Sequence, residues 1–163
     1  FSQTNYYIDT EQFDLRSHKS ALRIRVKDDY YEMTLKVPAE VGLMEYNFET
    51  HVIPELNKEL VANDLPLEIT EQLNKMNVDV NQLVILGALT TSRLEKEVQG
   101  NLLVLDKSDY LNYQDYELEY EVEDYDDGLI QFKMILEAFD IKHETPENKV
   151  QRFFNRKSNL NNN

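Results

Sequence analysis

The sequence predicts an α+β domain built on a mostly antiparallel sheet, and three observations carry that expectation. Apolar and charged residues alternate along several separate stretches, the period of a half-buried strand. The period changes to a helical one in the middle of the chain and again toward its end. No internal repeat and no linker interrupts the pattern, so a single domain over residues 1–157 is expected, followed by a disordered tail, 158–163. Composition agrees. The chain has 163 residues, 41% of them hydrophobic, with only four Gly and four Pro, which is a folded composition.

The elements follow in order. Ala21 to Lys27 alternates strictly, with Leu22, Ile24 and Val26 on one face and Arg23, Arg25 and Lys27 on the other. Asp28-Asp29 supplies a turn, and Tyr30 to Val37 returns with Tyr31, Met33, Leu35 and Val37 opposite Glu32, Thr34 and Lys36, so the two runs form a hairpin. Met44 to Glu49 alternates again, with Glu45, Asn47 and Glu49 sharing a face. Val52, Leu56 and Leu60 recur at helical spacing, and Leu67, Ile69 and Leu73 predict a second short helix after Pro66. Leu83 to Glu97 is a strand with Arg93, Glu95 and Glu97 on one face, Leu102 to Leu105 is another, and Asp115 to Asp124 is the clearest of all. Gly128 to Ile141 is an amphipathic helix expected to turn Ile130, Met134, Ile135 and Ala138 to the core. Pro146 is expected to open the last helix at its first turn.

Several function classes are excluded. Seventeen Lys and Arg against thirty-one Asp and Glu give a net charge of −14, which argues against a general nucleic-acid binder. No cysteine means no disulfide scaffold, thiolate metal site or thiol nucleophile, and a cytoplasmic setting is expected. The longest apolar run, Leu83 to Leu89, falls far below the ~18 residues of a helical membrane span. His18, His51 and His143 show no ligand spacing. Gly87 stands alone, as at a bulge or close backbone approach.

The charges are sorted onto faces. DYELEYEVED puts Asp115, Glu117, Glu119, Glu121 and Glu123 on one side of a strand and Tyr116, Leu118, Tyr120 and Val122 on the other. Neighbours on such a face stand ~7 Å apart, so the carboxylates repel one another unless water or cations intervene. Arg23, Arg25, Lys36 and Arg93 form the complementary set of cations. Each strand alone reads as a solvated outer face. Together, if the helices cover the apolar faces, the charged faces line the inside of a curved sheet. Arg forks match phosphate oxygens, and clustered carboxylates suit a hard divalent cation such as Mg²⁺, Mn²⁺ or Ca²⁺.

The ordered series NYYIDT (Asn5 to Thr10), ALRIR, TLK (Thr34 to Lys36), Glu45, Leu86-Gly87 with Arg93, LDKSDY (Leu105 to Tyr110), DYELEYE and NKVQRFF (Asn148 to Phe154) resembles the CYTH superfamily, the triphosphate tunnel metalloenzymes. It is most similar to the small stand-alone proteins of Gram-positive bacteria. The resemblance implies an antiparallel eight-stranded β tunnel with helices outside, hydrolysis of a triphosphate, and dependence on Mg²⁺ or Mn²⁺. It also implies that Arg23, Arg25, Lys36 and Arg93, joined by Lys149 and Arg152, grip the phosphates. Glu117 and Glu119 would hold the metal as the family's Glu-x-Glu, with Asp106 and Glu45 as helpers. The nucleophile is a metal-activated water, with no catalytic side chain assigned.

The family's N-terminal Glu-x-Glu-x-Lys strand does not occur among these residues, and it is expected upstream of Phe1. The function expected is metal-dependent hydrolysis of inorganic triphosphate. The alternatives are thiamine or nucleoside triphosphatase, adenylyl cyclase, and a non-catalytic polyphosphate- or nucleotide-binding module. The expected partner is a small-molecule triphosphate, with no nucleic acid and no membrane, bound by a monomer or homodimer.

Overall fold

Alternating stretches become strands and most of the helical stretches become helices. The computed structural model describes all of residues 1–163. In chain order the elements are β1 (Ser2–Asp9), α1 (Asp14–Ser17), β2 (Ala21–Lys27), β3 (Tyr30–Pro38), β4 (Leu43–Glu49), α2 (Leu67–Lys75), β5 (Val84–Val98), β6 (Asn101–Tyr110), β7 (Tyr113–Glu121), α3 (Tyr125–Ala138) and α4 (Lys149–Asn161). The strands form one antiparallel sheet in the order β4-β3-β2-β1-β5-β6-β7. The order has two ends, β4 and β7, and seven strands. The expected α+β class and antiparallel sheet are observed; within residues 1–163 the sheet has seven strands and is not closed by hydrogen bonds. The chain divides into two compact units, Gln3–Thr90 and a second made of Phe1–Ser2 with Thr91–Asn163.

In the unit Gln3–Thr90, β2 and β3 form the expected hairpin. Lys27 faces Tyr30 across Asp28-Asp29, and Asp28 takes a positive φ of 52°. Directly opposed residues share a face in an antiparallel pair. The register therefore groups Leu22, Ile24, Met33 and Leu35 on one face and Arg23, Arg25, Thr34 and Lys36 on the other. The apolar face is buried against α2 and its flanks, with Ile8, Leu22, Ile24, Met33, Leu35, Leu60, Ile69 and Leu73 in one cluster.

The helix expected over Val52 to Leu60 does not form. Pro54 interrupts it, and the segment pairs with the start of β5 instead: Asn57 N–H donates to the Ile85 carbonyl and Ile85 N–H to that of Lys58, both at 2.9 Å. Leu60 is buried and Leu56 exposed, a pattern no single helical face would give.

In the second unit β6 and β7 pair from Leu102↔Glu121 to Tyr110↔Tyr113. Their turn, Leu111-Asn112, has φ of 48° and 58°, the left-handed pair of a tight hairpin, although the usual Asn-Gly cue is missing. The Arg156 Nε of α4 donates to the Leu111 carbonyl at 2.7 Å and the guanidinium lies over the Tyr113 ring, which holds this turn.

Helix α3 starts at Tyr125, capped by the Asp124 carboxylate, which accepts from Asp127 N–H. Its packed stripe is rotated from the one expected. Ile130 and Met134 are 61% and 64% exposed, whereas Gly128 and Leu136 are buried. The cause lies at Gly128, where a Cβ would meet Val122 at 2.6 Å, so the helix approaches through its glycine. Gln131 and Phe132, three and four residues on, then reach Tyr120.

The last helix also departs from expectation at both ends. Asn148, not Pro146, precedes it: the Asn148 side chain accepts from Gln151 N–H while the Gln151 side chain accepts from Asn148 N–H. This capping box makes Lys149 the first helical residue. The helix then runs to Asn161, through most of the segment expected to be a disordered tail.

Candidate functional site

The charged face of β6 and β7 carries the densest chemistry. Asp106 lies directly opposite Glu117, Ser108 opposite Asp115, and Val104 opposite Glu119. Period-two geometry therefore stacks Asp115, Glu117 and Glu119 along β7, with Asp106 inserted beside Glu117. One carboxylate oxygen each of Asp106, Glu117 and Glu119 lies within 4.8 Å of the other two. Of the expected metal residues the structure brings these three together. The fourth, Glu45, belongs to β4, where it sits opposite Lys36 and pairs with it at 3.3 Å.

Three cations meet these carboxylates. Arg93, on β5, presents a two-pronged fork to Asp106, Nε to Oδ1 and Nη2 to Oδ2, both at 2.7 Å. Its guanidinium is thus committed to a carboxylate, in addition to the phosphate role that the resemblance gives it. Lys149 and Arg152, three residues apart on one face of α4, reach the same row. The Lys149 Nζ lies 2.8 Å from Asp106 Oδ2, 3.0 Å from Glu117 Oε2 and 3.5 Å from Glu119 Oε1. Arg152 donates from Nη2 to Glu117 Oε2 at 3.1 Å and from Nη1 to the Glu147 carbonyl at 2.6 Å, and its Nε stands 3.1 Å from Asp115 Oδ2.

Helix α4 therefore covers the charged face, and α3 contacts the Tyr120 side of the same hairpin. The sequence suggested that all helices would cover apolar faces. Phe153 and Phe154, 0% and 4% exposed, supply the apolar docking contacts that hold α4 there.

The electrostatics separate the carboxylates. Burial opposes ionisation of Asp106, but hydrogen bonds from Arg93 and Lys149 outweigh it and hold its carboxyl below the ordinary value. Glu117 is lowered in the same way, with Lys149 and Arg152 overcoming its burial. Glu119 goes the other way: burial raises it, Lys149 lowers it, and repulsion from Glu117 and Asp106 raises it further. Lys149 is raised, since its hydrogen bonds to Asp106 and Glu117 exceed the effect of burial. Three cations thus face four carboxylates in this cluster, and Glu119, held only by Lys149 at 3.5 Å, is the one whose carboxyl is raised.

Sequence reasoning missed Tyr110. Its hydroxyl donates to Asp115 Oδ2 at 2.6 Å, and burial together with that carboxylate pushes the phenol up to about 12. Shared parity with Asp106 along β6 was the available signal. Two hydroxyls, those of Thr91 and Ser108, and Asp115 Oδ1 are buried without a hydrogen-bond partner. Three hard carboxylates that bring an oxygen each within 4.8 Å of the others, with an ammonium already among them, are a donor set that fits Mg²⁺ or Mn²⁺.

The other unit carries the basic strand face. Arg25 Nε donates to Asn5 Oδ1 at 2.9 Å and Thr34 Oγ1 to Asn47 Oδ1 at 2.7 Å. The Arg23 Nε is buried with no hydrogen-bond partner, a cationic donor without an acceptor. Glu45 is raised by burial but lowered more by Lys36, Asn47 and Arg23, so it stays ionised below the usual range. The three histidines join none of these clusters; His18 Nδ1 bonds the Asp14 carbonyl at the end of α1. No helix is long and apolar enough to cross a membrane.

Known proteins resemble this chain along nearly its whole length. The chain is 39% identical over 155 residues, 95% of its length and 80% of the relative's, to a Bacillus subtilis (strain 168) protein named "Putative triphosphatase YjbK". Its structure resembles the crystal structure of "a putative adenylate cyclase (bh2851)" from Bacillus halodurans, with a TM-score of 0.70, 34% identity, and coverage of 94% of this chain and 82% of that one. It also resembles "Putative adenylyl cyclase HpAC1 from Hippeastrum", with a TM-score of 0.67 over 94% of this chain and 81% of the other. At 22% identity that likeness bears on the fold alone. The CYTH domain matches residues 1–154, and the chain belongs to the CYTH domain family.

Proposed function

We propose that the protein hydrolyses a triphosphate in the presence of Mg²⁺ or Mn²⁺, with inorganic triphosphate as the substrate. The convergence of Asp106, Glu117 and Glu119 on one cation position, marked by the Lys149 ammonium, carries this reading. The name of the Bacillus subtilis relative supports a triphosphatase. In the reaction, water adds to the terminal phosphorus, the bridging P–O bond breaks, and orthophosphate leaves together with diphosphate. A bound divalent cation, held by Asp106, Glu117 and Glu119, would neutralise charge on the phosphate oxygens.

The remaining work falls to the chain's own groups. Arg23, Arg25 and Lys36 bind and orient phosphate oxygens, and the unpartnered Arg23 Nε supports that role. Arg93 fixes Asp106 in position through its fork. Lys149 and Arg152 offer charge to the phosphates from α4.

The test is phosphate release by the full chain from inorganic triphosphate, thiamine triphosphate and ATP, with Mg²⁺, Mn²⁺ or EDTA. Metal-dependent release, fastest with inorganic triphosphate, is expected. The name of the Bacillus halodurans relative makes cyclase chemistry the second reading, scored in the same assay by diphosphate and cyclic nucleotide formed from ATP. Triphosphate binding by calorimetry without turnover under any metal would replace the hydrolase with a binding module.

A further inference from the structure

The ammonium of Lys149 stands where the cation of the proposed reaction would stand. It touches an oxygen of each of the three carboxylates at 2.8–3.5 Å, and the three carboxylates bring one oxygen each within 4.8 Å of the other two. A Mg²⁺ or Mn²⁺ ion binds carboxylate oxygen at ~2.1 Å. An ion on the same oxygens would therefore lie within about 5 Å of Nζ, a close approach of two cations in a partly buried place. The carboxylates cannot serve both fully.

We propose that Lys149 and the divalent cation compete for Asp106, Glu117 and Glu119, so that α4 carries a built-in counter-ion which the metal must displace. The inference rests on the reading of these carboxylates as the cation site. The helix is constructed to let Lys149 go without undocking. Lys149 is its first residue, preceded by the irregular and exposed segment 139–148. Below it, buried Phe153 and Phe154 and the bond from Arg156 to the Leu111 carbonyl hold α4 independently of that ammonium. A lysine on a flexible stem can leave the cluster where a rigid guanidinium fork such as that of Arg93 cannot. The metal-free protein is thereby spared a carboxylate trio with only Arg93 and Arg152 to offset it, at the expense of metal affinity. The displaced ammonium becomes available to an anion, so a phosphate ligand and the metal favour each other's binding.

The experiment is Mn²⁺ titration of the full chain by calorimetry with no phosphate present, comparing wild type with Lys149→Met, which keeps the stem and removes the charge. Lys149→Met is expected to bind Mn²⁺ at least tenfold more tightly. On the wild-type protein, acylation of the Lys149 amine followed by mass spectrometry should be slow without Mn²⁺ and fast with it, while exposed Lys142 serves as an unchanged reference. Equal or weaker Mn²⁺ binding by Lys149→Met, with binding lost in Glu119→Gln, overturns the competition and leaves the cation site standing. No Mn²⁺ binding by either protein overturns both. Labelling of Lys149 that ignores Mn²⁺ also overturns the competition, without recourse to a variant.

Discussion

Replacing Glu117 and Glu119 together by Gln is expected to lower metal-stimulated phosphate release by roughly 10²–10³-fold, the scale of losing a preorganised charge at a reacting group. The substitutions keep shape and remove two of the three charges that could hold the cation. Metal titration of turnover at fixed inorganic triphosphate measures this, and a wild-type metal response in the double variant would sink the assignment. The single change Glu119→Gln separates function from folding. Glu119 is raised by burial and by neighbouring carboxylates, so its ionisation costs stability as pH rises through the carboxylate range. Its removal should therefore raise the melting temperature of the metal-free protein at neutral pH while metal-stimulated turnover falls.

Asp106→Asn is expected to give the largest loss of stability, about 2–4 kcal/mol. Removing one partner of a buried pair costs about 3–5 kcal/mol, and the figure is lowered because Arg93 and Lys149, 18% and 19% exposed, can recover some hydration. Asp106 itself is fully buried and is the one residue bonded to both cations. The pH dependence follows from the lowered pKa. The native state binds the Asp106 proton less tightly than the unfolded chain does. Its contribution is therefore present above the ordinary carboxylate value and lost as pH falls through the lower native one. Wild type should lose stability on acidification more steeply than Asp106→Asn. Denaturant melts at several pH values check this, and parallel acid limbs would show that the Arg93–Asp106 pair is not the stabilising element.

Much of this was legible in the sequence because strands write their faces at period two. The cation face of Arg23, Arg25 and Lys36 and the acidic row of Asp115, Glu117 and Glu119 follow from parity alone, whereas the α4 pair Lys149 and Arg152 comes from the resemblance. What parity cannot show is which charged face meets which element. The docking of α4 on carboxylates, and the commitment of Arg93 to Asp106, depend on tertiary contacts. At Val52 to Leu60 a helical period was overruled by Pro54 and by pairing with β5. In α3 two stripes competed, one through Ile130 and Met134 and one through Gly128, Gln131, Phe132 and Leu136. Close approach at Gly128 selected the second. Asn148-x-x-Gln151 was a readable helix start that the more conspicuous Pro146 obscured.

Anomalous scattering from crystals grown with Mn²⁺ and inorganic triphosphate tests most directly whether Asp106, Glu117 and Glu119 bind a divalent cation. The predicted result is manganese bounded by oxygens of Asp106, Glu117 and Glu119, with the Lys149 amine withdrawn from them. Manganese absent from those oxygens, with Lys149 still in contact with all three carboxylates, would contradict it.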